Sequence, residues 1–321
     1  MRRRHLLATI GGLGVSASTA AWAAWPERPI TLVVPFAPGG IADLTARTVA
    51  QAMAGRLGTA IVVDNRPSAG SVVASTAVAK AAPDGYTLLL MSNANAVSTG
   101  LFKKLPFDVV KDFAPITTLG FFDLGVFVAD GSPLRTLADA VAHAKKNPGR
   151  LTIGTIAVGS SQHLAAELFK TRAGIDALTV PYKGTPAVLT ALRAGEIDLA
   201  FEILGPMLPQ VGAKAVRVLA VTSDRRAAAL PEVPTVAQAG VPGYAVASWN
   251  ALAAPAGTPP AVIERLHAAA IEALAQPAVR QRLQELGVRP EGGSPKQLEA
   301  LLASEIRRWG DVIRAAKIEP E

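Results

Sequence analysis

From Ile30 to Ile318 the chain alternates short apolar runs with segments whose apolar residues recur at helical spacing. Ile30 to Val34 reads as a buried strand. Ile41, Leu44, Val49, Met53 and Leu57 then fall on one helix face, and Gly58 supplies a stop. Strands are expected at 60–63, 86–91, 122–129, 151–155, 180–182, 197–201, 216–222 and 248–254. Helices are expected at 72–82, 137–146, after Ser161, at 187–194, 261–275, 278–286 and 295–318. Pro83-Asp84-Gly85 is turn chemistry between two of these elements. Such alternation predicts an α/β fold built on mainly parallel sheets, with ligands at the carboxyl ends of strands beside helix starts.

The first residues bear on location. Arg2, Arg3 and Arg4 precede an uncharged stretch ending in Ala21-Trp22-Ala23, the pattern of a cleaved secretory signal over residues 1–23. Glycines, serines and threonines dilute its apolar core, so it reads as a poor bilayer span. Export to the periplasm is expected by the Sec route; Arg3-Arg4 also resembles a twin-arginine signal. Cleavage after Ala23 leaves 298 residues (321 − 23), enough for one large or two medium domains. The chain has no cysteine, which removes disulfides, cysteine-based metal sites and thiol catalysis. The formal charge of +7 falls to +4 without the three signal arginines, and the remaining basic residues are scattered. Nucleic acid is therefore not an expected partner. No cofactor and no metal are expected.

One local pattern occurs twice. "VVPFAPGGIADLTAR" (33–47) and "LTIGTIAVGSSQHLAAELF" (151–169) each run strand, glycine-bearing turn, helix. The first amides of a helix lack intrahelical acceptors, the helix dipole adds positive charge there, and glycine lets an anion approach. Two such turns facing each other would clamp a small carboxylate. The plainer reading is that Gly39-Gly40 and Gly159 only make tight βα turns. Asp43 likewise reads either as a first-turn acid on the helix dipole or as a cleft group that orders water or meets an ammonium.

The chain resembles the substrate-binding receptors of tripartite tricarboxylate transporters, the Bug family of periplasmic receptors. The likeness runs through "WPERPITLVVPFAPGGIADLTAR", "VVDNRPSAG", "AAPDGYTLLL", "KLPFDVVKDFAPI", "AAELFKTRAGID", "VPYKGTPAVLTALRAGEIDLAF", "VLAVTSDRRAAALPEVPTVAQAGVPGY" and "APAGTPP", in family order over nearly all of 25–318. The resemblance implies a two-lobed Venus-flytrap fold with two mixed β-sheets flanked by helices. Residues 24–125 and 248–321 would form one lobe and 126–247 the other. It implies a monomeric receptor that takes a small organic acid between the lobes, partly through water, and delivers it to membrane permease subunits. The expected ligand-binding set is Phe36, Ala37, Pro38, Gly39, Gly40, Asp43 and Ser92 from the first lobe. Gly159, Ser160, Ser161, His163, Tyr182, Lys183, Gly184, Phe201 and Glu202 answer from the second. The sequence departs from the family at "NANAVSTGLFKKLPFD", at "AVGSSQH", and at Phe201-Glu202, where Phe-Asp is frequent. The longer acid is expected to shrink the pocket or to select a hydroxyl or cationic group.

The rival reading is an exported α/β hydrolase acting on a small carboxylic acid or ester. Ser160, Ser161 and His163 invite it, but the Gly-x-Ser-x-Gly elbow is missing and capping accounts for serines at a helix start. His163 and Glu167 stand at i, i+4 and could touch a metal, yet no third ligand has a suitable spacing. Gly39-Gly40 lacks the Gly-Lys-[Ser/Thr] ending of a phosphate loop, and neither turn has a dinucleotide fingerprint. Lys183 could draw a carboxylate as a point charge or simply sit in a solvated loop.

Overall fold

The computed structural model describes residues 25–320, so the expected signal segment lies outside the described residues. The first half of the chain gives β1 (Ile30–Val34), α1 (Ile41–Leu57), β2 (Ile61–Asn65), α2 (Val72–Ala79), β3 (Thr87–Ser92), α3 (Asn93–Leu101), β4 (Phe113–Ala129) and α4 (Leu137–Lys146). The middle gives β5 (Leu151–Ile156), α5 (Ser161–Ala173), β6 (Ala177–Tyr182), α6 (Thr185–Ala194), β7 (Leu199–Ile203), α7 (Leu204–Gly212) and β8 (Val216–Val221). The chain ends in β9 (Ala247–Pro255), α8 (Pro260–Ala275), α9 (Pro277–Glu285), β10 (Val288–Pro290) and α10 (Pro295–Ala315).

The strands follow the order β2-β1-β3-β9-β4-β7-β5-β6, with β8 and β10 also on β4. The arrangement is mixed rather than mainly parallel. Pairs β1/β2, β1/β3, β5/β6 and β5/β7 are parallel, whereas β9 and β4 run antiparallel to their neighbours. Helical crossovers explain the parallel pairs. β4 and β9 are the strands by which the chain leaves and re-enters the first half, and their mutual pairing carries no crossover helix.

β4 is 17 residues long and changes partners along its length. Phe113 to Asp123 pairs with β9, while Leu124 to Ala129 pairs with β7 and β8. Register shifts at 115–117 and 118–120 bend its first part. One strand thus belongs to both sheet halves, and each half carries its own helices.

Burial follows the sequence pattern. α1 turns Ala46, Val49, Ala50, Met53 and Leu57 inward, and Gly58 ends it at φ 71°. They join Leu88, Leu90, Leu252 and Leu266 in one core cluster. On the opposite face, Val33, Leu89, Met91, Val97 and Trp309 form a second, with α10 packed on α3. A third cluster under α6 and α7 gathers Phe127, Leu192, Ala200 and Met207. The adjacent parallel pairs β1/β3 and β5/β7 each run directly toward helix starts, which sets four helix N-termini near the strands' carboxyl ends.

Candidate functional site: four helix starts around one uncharged cavity

A cavity of about 220 Å³ is lined by the first residues of three helices: Gly40, Ile41 and Ala42 of α1, Ser92, Asn93 and Ala94 of α3, and Ser160, Ser161 and Gln162 of α5. Ile203, which precedes α7, also lines it. Phe36, Val97, Phe122 and Ile156 supply apolar wall, and Ser248 and Asn250 reach it from β9. Among the described residues, no charged side chain lines this cavity. A second cavity of about 260 Å³ adjoins it, sharing Phe36, Ala94, Val97, Gly159 and Ser160. Any attraction for an anion comes from the helix ends themselves, each equivalent to about half a positive charge.

Each helix start is built differently. α1 begins at Gly40 (φ −80°, ψ 168°), and no described side chain caps it. α3 begins without a loop: Ser92 is the last residue of β3 and the cap of the helix. Its Oγ accepts from Ala94 N at 3.2 Å, while Asn95 Oδ1 accepts from Ser92 N at 2.9 Å. α5 begins at Ser160, whose Oγ accepts from His163 N at 3.1 Å and donates to Ile156 O at 3.2 Å.

The turn preceding α1 is closed by a side chain. Gly39, at φ 84°, donates its amide to Asp43 Oδ2 at 2.9 Å. Arg47 Nε and Asn65 Nδ2 donate to Oδ1 of the same carboxylate at 3.0 and 2.9 Å. Burial alone would raise the Asp43 pKa; the hydrogen bonds from Arg47, Gly39 and Asn65 outweigh it and hold the carboxyl below its ordinary value. Gly159, at φ 78°, donates to His163 Nδ1 at 3.4 Å. Burial lowers the His163 pKa, so the imidazole is neutral and its Nδ1 lone pair is free to accept.

Six of the sixteen expected site residues therefore meet at the cavity: Phe36, Gly40, Ser92, Gly159, Ser160 and Ser161. The others are placed elsewhere. Ala37, Pro38 and Gly39 are exposed on the outside of the turn, and the Gly39 amide is already engaged. Asp43 and His163 are buried and serve their own turns. Lys183 is exposed, Tyr182 ends β6 and packs beside the α6–α7 cluster, and Gly184 caps α6. Phe201 is fully buried against Phe169, with ring centroids 5.5 Å apart. Glu202 lies one layer behind the wall. Its Oε2 accepts from Gln162 Nε2 at 3.3 Å and Thr185 Oγ1 at 3.0 Å, and burial raises its pKa. It orients Gln162 rather than lining the cavity.

Four polar residues outside the expected set line the cavity: Asn93, Gln162, Ser248 and Asn250. Asn93 Nδ2 donates to Ser161 Oγ at 3.1 Å, and Ser161 Oγ lies 3.2 Å from Ser248 Oγ, so α3, α5 and β9 are tied together. Asn93 Oδ1 in turn accepts from Trp309 Nε1 at 2.7 Å, which links the cavity to α10. Asn250 is fully buried, and among the described residues neither its Oδ1 nor its Nδ2 finds a partner. The signal for two of them was present: Ser248 and Asn250 alternate through an otherwise apolar strand, Ala247–Pro255. The imidazole of His163 bonds the Gly159 amide, not a serine hydroxyl, so nucleophile and base are not assembled. Among the described residues no group of three or more His, Cys, Asp or Glu could hold a metal ion.

The model of the tripartite tricarboxylate transporter family receptor matches residues 45–318. The chain belongs to that family. A relative from Pseudomonas sp. (strain P51), named for the tcbD-tcbE intergenic region, is 38% identical over 314 residues, covering 97% of this chain and 94% of its own. The solved structure of R. palustris Rpa4515 with adipate is 36% identical with a TM-score of 0.82, over 92% of this chain and 100% of that one. The periplasmic binding protein BugD is 30% identical with a TM-score of 0.79, over 92% of this chain and 100% of that one. The fold of this receptor is therefore that of the periplasmic solute-binding proteins, and the chain is a receptor, not an enzyme.

Proposed function

We propose that this receptor works in the periplasm and holds a small organic carboxylate among the starts of α1, α3 and α5. Three helix N-termini line one cavity that, among the described residues, bears no charged side chain, and this carries the proposal. Backbone amides and helix dipoles bind a carboxylate there without a counter-ion, and the related Rpa4515 has been solved with adipate. Gly40, Ile41, Ser161 and Gln162 are the residues whose amides face the ligand, because the Gly39 and Gly159 amides close their own turns.

In this reading 24–125 with 248–321 forms one lobe and 126–247 the other. β4 hands over between Asp123 and Leu124, and β9 begins at Ala247, which supports that division. The Ser161–Asn93 and Ser161–Ser248 bonds are then contacts between lobes. Ligand shifts an open–closed equilibrium toward the closed arrangement. The closed receptor presents its acid to the membrane subunits of a tripartite transporter. Export follows the Sec route, and the receptor acts as a monomer.

A thermal-shift screen of the processed protein against organic acids tests the reading, since a ligand bound only by the folded state raises Tm. The expected result is a shift with at least one acid, a smaller radius of gyration in its presence, and recovery of the acid unchanged. A bound acid that is chemically converted, or no shift with any acid, overturns it.

A further inference from the structure

Among the described residues, Asn250 is the one fully buried side chain on the cavity wall with both polar atoms unpartnered. Its surroundings explain why the protein leaves it so. On one side its cross-strand neighbour is Ser92, whose Oγ is committed to the Ala94 amide. On the other side is Gly120, which has no side chain to offer. A buried amide with neither donor nor acceptor satisfied is costly, and such groups persist where something else completes them.

The complement of that amide is chemically narrow. Nδ2 must donate and Oδ1 must accept. An ionised carboxylate only accepts, so it would leave Oδ1 unpaired. A hydroxyl both accepts and donates, and can satisfy the two atoms together. Exchange of the oxygen and nitrogen positions leaves the requirement the same. Resting on the carboxylate reading above, we infer that Asn250 reads a hydroxyl on the ligand, and that the receptor's substrates are hydroxylated organic acids. The carboxylate is held by helix starts and the hydroxyl by β9, two elements that meet only at this cavity. The apolar wall from Phe36, Val97, Phe122 and Ile156 covers the carbon skeleton between them.

A site built to hydrogen-bond a hydroxyl discriminates strongly against the analogue without it, because its own polar atoms are then left bare. The test uses matched pairs: malate against succinate, 3-hydroxybutyrate against butyrate, and 3-hydroxybenzoate against benzoate, titrated by calorimetry into the processed protein. At least one hydroxylated member should bind tenfold or more tightly than its partner. In Asn250→Leu, which keeps the branched outline and removes both polar atoms, that ratio should fall to about twofold or less. Removing two unpaired polar atoms should not lower the variant's Tm. Should Asn250→Leu fail to fold, Asn250→Asp serves instead: it retains shape and loses the donor, and must also compress the ratio. Acids that bind without any hydroxyl preference overturn the inference and leave the carboxylate reading standing, with Asn250 satisfied by water. A preference that survives both substitutions also overturns it. Absence of binding by all six acids overturns this inference, while the wider thermal-shift screen decides the carboxylate reading.

Discussion

Gly39 and Gly159 both take positive φ, both precede the cap of a helix, and both donate their amide to the side chain four residues on. In the first turn that side chain is Asp43, ionised and braced by Arg47 and Asn65; in the second it is His163, neutral and buried. The surroundings differ as well. A Cβ on Gly39 would meet open space, whereas a Cβ on Gly159 would lie 2.1 Å from Leu101 Cδ1 on α3. One backbone device, a left-handed glycine locked by the third helical residue, is thus built with two chemistries. The lock frees the following amides to face the cavity. It also makes the second turn, and not the first, a point of contact with another helix.

Breaking the first turn at its cap should cost binding most. Gly40 has φ −80°, and a Cβ there would meet Ala37 O at 3.8 Å, an ordinary contact, so Gly40→Val should fold. Its branched side chain would stand in the approach to the α1 amides. Affinity for any bound acid should fall at least tenfold, about 1.4 kcal/mol. Calorimetry measures this, with circular dichroism as the folding control; unchanged affinity would mean that the cap glycine only shapes the turn.

Next come the two left-handed glycines. Gly39→Ala should cost about 1–2 kcal/mol, the strain of a left-handed non-glycine residue. Gly159→Ala should cost more, because Leu101 must also give way, and it should weaken acid binding by wedging α5 from α3. Urea unfolding of the pair gives the order; equal losses would show that the Leu101 contact has no energetic weight. A smaller effect attends the caps: Ser160→Ala removes the bond to His163 N and should cost about 1 kcal/mol by the same measurement.

The smallest effect separates the locks by pH. His163 has a folded-state pKa below its ordinary 6.5. The unfolded chain therefore binds more protons, and stability present above 6.5 is lost as pH falls toward the folded value. Asp43 is also depressed, from 3.8, so its contribution is present above 3.8 and is lost only in stronger acid. Tm profiles of His163→Gln and Asp43→Asn, each subtracted from the parent, should diverge in those two separate ranges. Subtraction removes the opposing trend from Glu202 and Glu305, whose pKa values burial raises. A His163→Gln difference that is flat below 6.5 would show that the imidazole does not carry the second lock.

Most elements were legible because hydrophobic periodicity and glycine stops agree locally: α1, α8 and α9 lie within a residue or so of expectation. Three were not. α3, "NANAVSTGL", mixes small polar and apolar residues with little periodicity, and exists because Ser92 caps it and α10 packs on it. α7, "LGPMLPQVG", carries two glycines and two prolines and reads as a loop. The first part of β4 is broken by Pro115, Gly120 and two register shifts, so the sequence predicts a strand only from Phe122. The site was half legible for the same reason. Glycine and serine at a strand-to-helix junction announce a helix start, but not which polar side chains the fold will spend on itself. Asp43, which the sequence leaves open to either role, and Glu202 make their hydrogen bonds within the fold, while Asn93 lies in a stretch without a motif.

The bond from Trp309 to Asn93 gives the receptor an optical property. Processing after Ala23 would leave tryptophans only at 25, 249 and 309, and the indole of Trp309 is held by the same asparagine that grips Ser161. Indole emission is sensitive to the hydrogen bonding of its N–H. Parting α5 from α3 would release one end of Asn93 and alter the environment of a fully buried fluorophore on α10. Native fluorescence, without dye or label, would then follow occupancy of the cavity in real time.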